Sequence, residues 1–558
     1  MHIHFFRIVR LIQRLAHHPI ASFLLKHFVF PFAPRCATRQ LSPLAENILR
    51  ILHDRLRDGH TCISSSELAD RVIATPVALQ CALAQLQSGK AICVKADYIA
   101  FTPCVAAEET IAAALQRIGT RARIIPVESL PAGFATKLSE EQRQAIRTLA
   151  QAPVAILTGA PGTGKTSTIQ SLIEVFTRAN YRVRLAAPTG RAAQRLQETT
   201  GHPATTLHRL LADERLQLRT WWQRWSSPPE VILVDEASMV DVFLMSQLIS
   251  ICTSATRLIL VGDPHQLASI GPGQVLLDLI ESQRVTVVRL ITNYRQTKNS
   301  RIVDAAESLK AGGAFDLPAP GTEKSDSYFI EAGTVAEIEH LVVKAVTQSL
   351  PTRCGANPRT EIQVLTPKHG GALDTVALNE AIRTALSAPP AKKNVDTSHI
   401  AGFMVGDRVL HTKNNYALGV FNGQCGSVHA VESNRVMVYY GAREVTYTAE
   451  TLAQLTHRFA LSIHRSQGSE YPFVILPIHE SQQPLLTREL LYTAMTRAKQ
   501  MVVLIGSRRA LEIAIHNTKT GQRQTLLPLL LAPPSVPTSL ASVLPNQYNP
   551  RFSGISGQ

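Results

Sequence analysis

Between Gly159 and Thr166 the chain reads G-A-P-G-T-G-K-T, an order of residue types that could hold a polyphosphate. Gly159, Gly162 and Gly164 let the backbone wrap so that its N–H groups turn inward on an anion. Pro161 and Thr163 complete the loop, and Ser167 follows it into a helix-permissive run. Lys165 is placed to reach β- and γ-phosphates, and the Thr166 hydroxyl is placed to hold Mg²⁺. A chance glycine loop opening a helix shares part of this pattern. The full string, directly after the apolar run Val154–Leu157, implies a nucleoside triphosphate site.

Two further strand ends carry polar chemistry. The apolar run Val231–Val234 stops at Asp235 and Glu236, which predicts Asp235 on Mg²⁺ and Glu236 as the base that orients an attacking water. Alone, an Asp-Glu pair after a strand is more often a solvated turn. With a phosphate loop upstream it implies hydrolysis. Leu258–Val261 is broken by Gly262, Asp263 and Pro264, which sets Gln266 near a γ-phosphate, although by itself it reads as a surface amide.

These chemical residues all follow short, wholly apolar runs that alternate with helical stretches. That pattern predicts a parallel sheet with helices on both faces and ligands at the carboxyl ends of its strands. At 558 residues the chain is too long for one core, and three or four domains are expected. The formal net charge of +15 fits a polyanionic partner, although solubility or a membrane surface would share that signature. Eight cysteines (Cys36, Cys62, Cys81, Cys93, Cys104, Cys252, Cys354, Cys425) include no C-x-x-C pair. This argues against a zinc ribbon or disulfide framework and for a reducing, cytoplasmic setting.

Nine strings occur in order: LSEEQRQAI, GAPGTGKT, LAAPTGRAAQRL, ATTLHRLL, VILVDEASMVD, LVGDPHQLASIGPGQVL, NYRQ, FALSIHRSQGSEYPFVI and LLYTAMTRAKQ. Together they resemble the motifs of RecD-like DNA helicases of superfamily 1B (the RecD/TraA group), over roughly Leu41 to Ser507. The resemblance implies an α/β fold with two RecA-like motor domains, ATP and Mg²⁺ as cofactors, and translocation 5′ to 3′ on single-stranded DNA. It implies that duplex junctions with a 5′ tail are the substrate, in repair or recombination, with other recombination proteins as candidate partners. By resemblance, Gln142 reads adenine, and Arg295 and Arg497 reach the γ-phosphate from the second motor domain. Pro188, Thr189, Arg191, Thr206 and His208 resemble single-strand contacts, as do Ser462, His464, Ser466 and Gln467 in the coupling motif. The family often has Lys at Arg465 and Thr at Ser462; both exchanges keep the charge or the hydroxyl. A helicase half of a conjugative relaxase, and a DNA-stimulated ATPase that does not unwind, are the alternatives.

The expected organisation is a basic arm over 1–40, a winged-helix-like segment with linker over 41–136, and motor domains over 137–288 and 289–510. Within the second, 402–457 reads as a small β-barrel insertion. Val409, Val420, Val428, Val436 and Val438 are expected on its strands, with Asn422-Gly423 as a hairpin turn. The family's longer members carry an upstream helix-hairpin-helix region, which this chain does not show. The arm has Arg7, Arg10, Arg14, Lys26, Arg35 and Arg39 and no acidic residue; Lys26 and His27 interrupt its apolar stretch, so no membrane span is expected. Trp221, Trp222 and Trp225 lie in an insert and read as corner packing rather than base stacking. Residues 511–558 read as a Pro/Ser-rich disordered tail.

Overall fold

A computed structural model describes residues 41–122, 125, 138–216, 230–294, 300–367, 371, 373–387 and 402–532, apart from 414, 416, 421, 433, 442 and 520 and the side chains of 214–216, 387 and 484. The basic arm, the three tryptophans, Arg295 and the end of the tail lie outside the described residues.

The first described unit runs helix Pro43–Arg57, β1 (Cys62–Ser64), helices Ser65–Arg71 and Pro76–Ser88, then β2 (Ile92–Lys95) and β3 (Tyr98–Phe101). The strands pair antiparallel in the order β1-β3-β2, a two-strand wing with β1 on its edge. Ser42, Ser64 and Thr75 each cap a helix by accepting a backbone N–H, so the three helix starts are written locally. Ile48, Leu52, Leu68, Leu86 and Ile99 form its core.

The first motor sheet contains β4 (Val154–Gly159), β5 (Arg182–Ala187), β6 (Ala204–Thr206), β7 (Glu230–Val234), β8 (Arg257–Gly262) and β9 (Thr286–Leu290). All pairs are parallel, in the order β6-β5-β7-β8-β4-β9. The strand expectations at 154, 231 and 258 hold. Successive side chains feed two cores: Ile156, Ile232, Val234, Leu258 and Leu260 face one, while Leu157, Val231, Leu233, Ile259 and Val261 face the other. A strand buried on both faces has no polar face to show, which is why these runs read as continuous apolar segments. The sheet ends at Leu290, so residues 289 and 290 belong to the first motor domain rather than the second.

The second motor sheet contains β10 (Ser327–Glu331), β11 (Ile362–Thr366), β17 (Ala460–Ser462), β18 (Tyr471–Ile478) and β19 (Ala498–Gly506), parallel in the order β10-β19-β18-β11-β17. It too separates two apolar cores. Between β11 and β17 lie β12 (Arg408–His411), β13 (Cys425–Glu432), β14 (Arg435–Tyr440), β15 (Arg443–Thr448) and β16 (Leu455–His457), antiparallel in the order β15-β14-β13-β12-β16. The two edge strands are not paired with each other, so the insertion is a curled five-stranded sheet around Val409, Val428, Val436, Val438 and Tyr447, not a closed barrel.

Val420 sits on an isolated bridge to Asn415 rather than on a strand. Asn422-Gly423 is not a two-residue hairpin: β12 pairs directly with β13 and the connection is long. The Asn415–Val420 bridge turns the chain first, and Gly423 (φ +88°) donates its N–H to His411 O (2.8 Å) on the way into β13.

The tail expected over 511–558 is corrected for its described part, up to Ala532. Helix Arg508–His516 packs Ala510, Leu511, Ala514 and Ile515 into the second motor core. The chain then crosses back, and helix Leu527–Leu531 buries Leu527 and Leu531 in the first. The apolar run there outweighs the proline and serine content around it, because burying such side chains is worth roughly 1.5–3 kcal/mol each.

Candidate active site

Parallel strands bring their carboxyl ends to one edge, so β4, β7 and β8 deliver the phosphate loop, Asp235 and Asp263 together. In the loop, Gly162 (φ +92°) and Gly164 (φ +83°) take left-handed backbone. At Gly164 a Cβ would lie 2.1 Å from Gln142 Nε2, and the left-handed backbone there favours glycine. Lys165 and Thr166 begin helix Lys165–Arg178, with Ser167 exposed beside them. Lys165 Nζ donates to Gly159 O (2.5 Å) and Ala160 O (3.0 Å), and Thr163 Oγ1 donates to Ala160 O (2.8 Å). Burial lowers the Lys165 ammonium, and the charges of Asp263, Glu236 and Asp235 work against that.

Asp235 N donates to Ala186 O (2.9 Å), and its own Oδ1 accepts from Glu236 N (2.9 Å). Burial, and then the charge of Glu236, raise the Asp235 carboxyl. Glu236 itself sits at φ +54°, ψ +41°. Left-handed backbone costs a non-glycine residue about 1–3 kcal/mol and clusters at functional sites. A divalent cation would favour the charged form of Asp235, and a carboxylate with a threonine hydroxyl is a hard oxygen set of the kind Mg²⁺ takes. Among the described residues no three His, Cys, Asp or Glu converge, so a cation at Thr166 and Asp235 would complete its shell with phosphate and water oxygens.

Gln142 is buried at the start of helix Glu140–Gln151 in a capping box with Ser139: its Oε1 accepts from Ser139 N (3.1 Å). That leaves Nε2, over Gly164, as the part free to meet a nucleotide. Pro161 O accepts from Asn293 Nδ2 (3.3 Å) and Gly162 O from Tyr294 N (2.9 Å), so the NYRQ string reaches the phosphate loop just before Arg295. Glu141 carries the same segment by accepting from Ile291 N (2.6 Å).

The second motor domain closes the site. Arg497, 2% exposed, donates from Nη2 to Gln266 Oε1 (2.8 Å), and its Nη1 lies 4.0 Å from Glu236 Oε1. At that separation the attraction is roughly 4 kcal/mol at an effective dielectric of ~20, before desolvation is counted. Nε donates to Thr493 O and Nη1 to Ser469 O, so the guanidinium is aimed before any substrate arrives. Gln266 is buried, not the surface amide its local sequence also allows. Around it, Tyr492 donates to Asp263 Oδ2 (2.7 Å), Leu267 N donates to Thr493 Oγ1 (2.9 Å) and Gln467 Nε2 donates to Leu267 O (3.0 Å). Tyr492, Thr493 and Asp263 were not singled out as site residues, although all three lie inside the motif strings.

The expected DNA contacts divide. Pro188 and Thr189 follow β5, Thr189 caps the next helix, Thr206 ends β6 and caps Arg209 N, and His208 is exposed beside it. These four share the strand-end edge of the first motor sheet. Arg191 instead donates to Tyr471 Oη (2.9 Å) across the domain boundary. Ser462 is buried at the end of β17, Ser466 donates to Ile463 O, and Gln467 binds Leu267, so these three face inward. His464 is half-buried between them. Their inward placement has one cause: the coupling motif fills the domain interface, where Gly468 (φ +71°) packs on Ala192 and Arg195 pairs with Glu470 (2.7 Å).

A phosphate loop and carboxylates on one parallel sheet, met by an arginine from a second, define a tandem RecA-like nucleotide-driven motor. The AAA domain family matches residues 137–319, the ATP-dependent RecD-like DNA helicase SH3 domain matches 378–440, and the UvrD-like helicase C-terminal domain matches 457–505. The RecBCD enzyme subunit RecD of Mycobacterium tuberculosis is 33% identical over 445 residues, covering 73% of this chain and 76% of that one. The ATP-dependent RecD2 DNA helicase of Deinococcus radiodurans is 34% identical over 390 residues, 70% of this chain. The chain spans about half (52%) of that relative's length. Bacteroides Pif1 bound to ssDNA is a looser structural likeness, with TM-score 0.41 and 18% identity over 66% of this chain and 92% of that one. The chain belongs to the RecD-like family of ATP-dependent DNA helicases.

Proposed function

We propose that the chain hydrolyses ATP to move 5′ to 3′ along single-stranded DNA and to open duplexes from a 5′ tail, in DNA repair or recombination. The observation that carries this is the Gln266–Arg497 hydrogen bond beside Glu236, a nucleotide-facing latch made from both motor domains. On ATP binding, Lys165 exchanges its loop carbonyls for phosphate oxygens, and Glu236 orients the water. Arg497, with Arg295, meets the γ-phosphate and steadies its charge in the transition state. Mg²⁺, held by Thr166 and Asp235, would neutralise phosphate charge when bound.

Closing and opening the cleft then shifts a strand lying over Pro188, Thr189, Thr206 and His208. Opening a base-pair step costs about 1.4 kcal/mol, within the reach of one hydrolysis event. Recombination proteins are the partner class this reading suggests. Among the described residues no helix is long and apolar enough to cross a membrane.

Strand displacement on substrates with a single 5′ or a single 3′ tail tests the reading. Displacement from the 5′ tail alone is expected. Displacement from only the 3′ tail would reverse the polarity, and DNA-stimulated turnover without displacement would leave an ATPase that does not unwind.

A further inference from the structure

The segment that leaves the second motor domain does not end there. Asn517 is still anchored on it, donating from Nδ2 to Leu486 O (2.7 Å) and accepting from Arg488 N (2.8 Å). By Leu526 the chain has crossed to the other side, where its N–H donates to both oxygens of Glu108 in the N-terminal segment (3.2 and 3.3 Å). This strap is therefore a second tie between the motor domains besides the direct link after Leu290, covalent at the second domain and held by hydrogen bonds and apolar packing at the first.

Midway along it, Arg523 enters the loop that follows Gln266. Its Nη1 donates to Ser269 Oγ (3.2 Å), Gly271 O (3.1 Å) and Gly273 O (2.7 Å), and its Nη2 donates to Ser269 O (2.8 Å). The charges of Asp241 and Asp278 act on it from a distance, and its planar fork of donors is met by an oxygen cluster from one short loop. The fit is close. A Cβ on Gly59 would lie 2.4 Å from Arg523 Cζ, and one on Gly271 would lie 2.1 Å from Asp241 Oδ2. Gly273 N also donates to Gly59 O (2.9 Å), so the N-terminal segment holds the other side of the loop.

Within the loop Ser269 Oγ donates to Gly271 O (2.9 Å) and Gly273 O (3.2 Å), and from the first motor domain Val242 N donates to Pro272 O (3.0 Å). The loop sequence is S-I-G-P-G, its isoleucine is 59% exposed, and Gly273 has φ +90°. Glycine carries the largest backbone entropy, so the Ser269 hydroxyl bonds are supplemented by outside contacts, of which Arg523 makes four. Yet the loop's near end carries Gln266 and Leu267, whose partners Arg497, Thr493 and Gln467 all belong to the second motor domain.

We infer that Arg523 is a positioning residue for ATP turnover. It holds the far end of the 269–273 loop so that Gln266 stays seated on Arg497, and it makes the N-terminal segment and the strap part of the device that links DNA to hydrolysis. Arg523 touches no substrate; it acts through the loop. The inference rests on the helicase reading for its DNA arm only.

The test uses the full chain with Arg523→Ala, Arg523→Lys and, as control, Gln524→Ala. Gln524 Nε2 donates to Glu67 (2.8 Å), so its removal loosens the strap without touching the loop. Losing one or two net hydrogen bonds at the loop predicts a fall of about tenfold or more in DNA-stimulated kcat for Arg523→Ala, with affinity for a fluorescent ATP analogue within about twofold of the parent. Hydrogen exchange at the amides of 266–273 should rise by a similar factor. Arg523→Lys, which keeps the charge and some donors, should recover part of both. Gln524→Ala should lower Tm yet keep kcat and the exchange pattern.

Parental kcat in Arg523→Ala, an equal loss in Gln524→Ala, or unchanged exchange over 266–273 would each overturn the assignment and leave a simple clasp. Absence of DNA stimulation in the parent would instead sink the helicase reading, and the exchange measurement would still decide the role of Arg523.

Discussion

Lys165 and Glu236 sit within one site, and under the proposed mechanism their variants should separate. Lys165 already donates to two oxygens, the carbonyls of Gly159 and Ala160, and in the proposed mechanism it exchanges them for ground-state phosphate. Lys165→Ala should weaken nucleotide binding and abolish turnover together. Glu236 is held in left-handed backbone beside Arg497, where it can act on water rather than on phosphate. Glu236→Gln should keep nucleotide affinity and lose about 10²–10⁴-fold in kcat, the range for a general base. Equilibrium binding of a labelled nucleotide set against steady-state turnover distinguishes the two. Normal turnover in Glu236→Gln would remove it from the chemistry.

The strap shows how one element can join three others. Glu108 and Asp278 are both buried where it lands, and burial pushes each carboxyl up to about 7. Thr61 and Leu526 N donate to Glu108, and Thr525 donates to Asp278 Oδ2, while Asp278 Oδ1 is buried without a hydrogen-bond partner. The ordinary values are 4.5 and 3.8, so between about pH 4 and pH 7 the folded protein holds protons that the unfolded chain releases. Stability is then greatest at the acidic end of that window, falls as pH rises through 7, and levels off above it. Scanning Tm from pH 5.5 to 8 should show that decline. Glu108→Gln and Asp278→Asn, which cannot ionise, should each flatten it, and an unaltered slope in both variants would refute the assignment.

Across the whole molecule the net charge of +15 sets how a nucleic acid is approached. If single strands are held chiefly through phosphates, log affinity should fall linearly with log salt, with a slope of about −0.7 for each phosphate neutralised and little dependence on base identity. Fluorescence anisotropy with homopolymer and mixed oligonucleotides over a salt series checks this. A salt-independent affinity, or preference for one short sequence, would contradict it. Arg191 tempers the simple picture. It is basic and lies in a motif beside the expected strand path, but its guanidinium is engaged by Tyr471 at the domain interface.

The sequence by itself determined the parts whose conformation is decided within a few residues. Glycines at 162 and 164 take the left-handed backbone, Lys165 and Thr166 open the helix, and runs such as Val231–Val234 form strands because every side chain in them is buried. Since those strands are parallel, their polar ends had to share one edge, and the nucleotide site was legible from order alone. The motif strings were enough to bring in the family, but not to say which of their polar residues face solvent. Tertiary structure decided that: Ser462, Ser466 and Gln467 are all buried, and Gln467 meets a partner, Leu267 O, two hundred residues away. It also decided that the described residues from Leu511 to Ala532 are no loose tail. The groove that receives Leu527 and Leu531 is built from helices Thr102–Arg117 and Val275–Glu281. A short apolar segment becomes an element only when distant parts of the chain offer it a dry surface, and local sequence carries no record of where that surface will be.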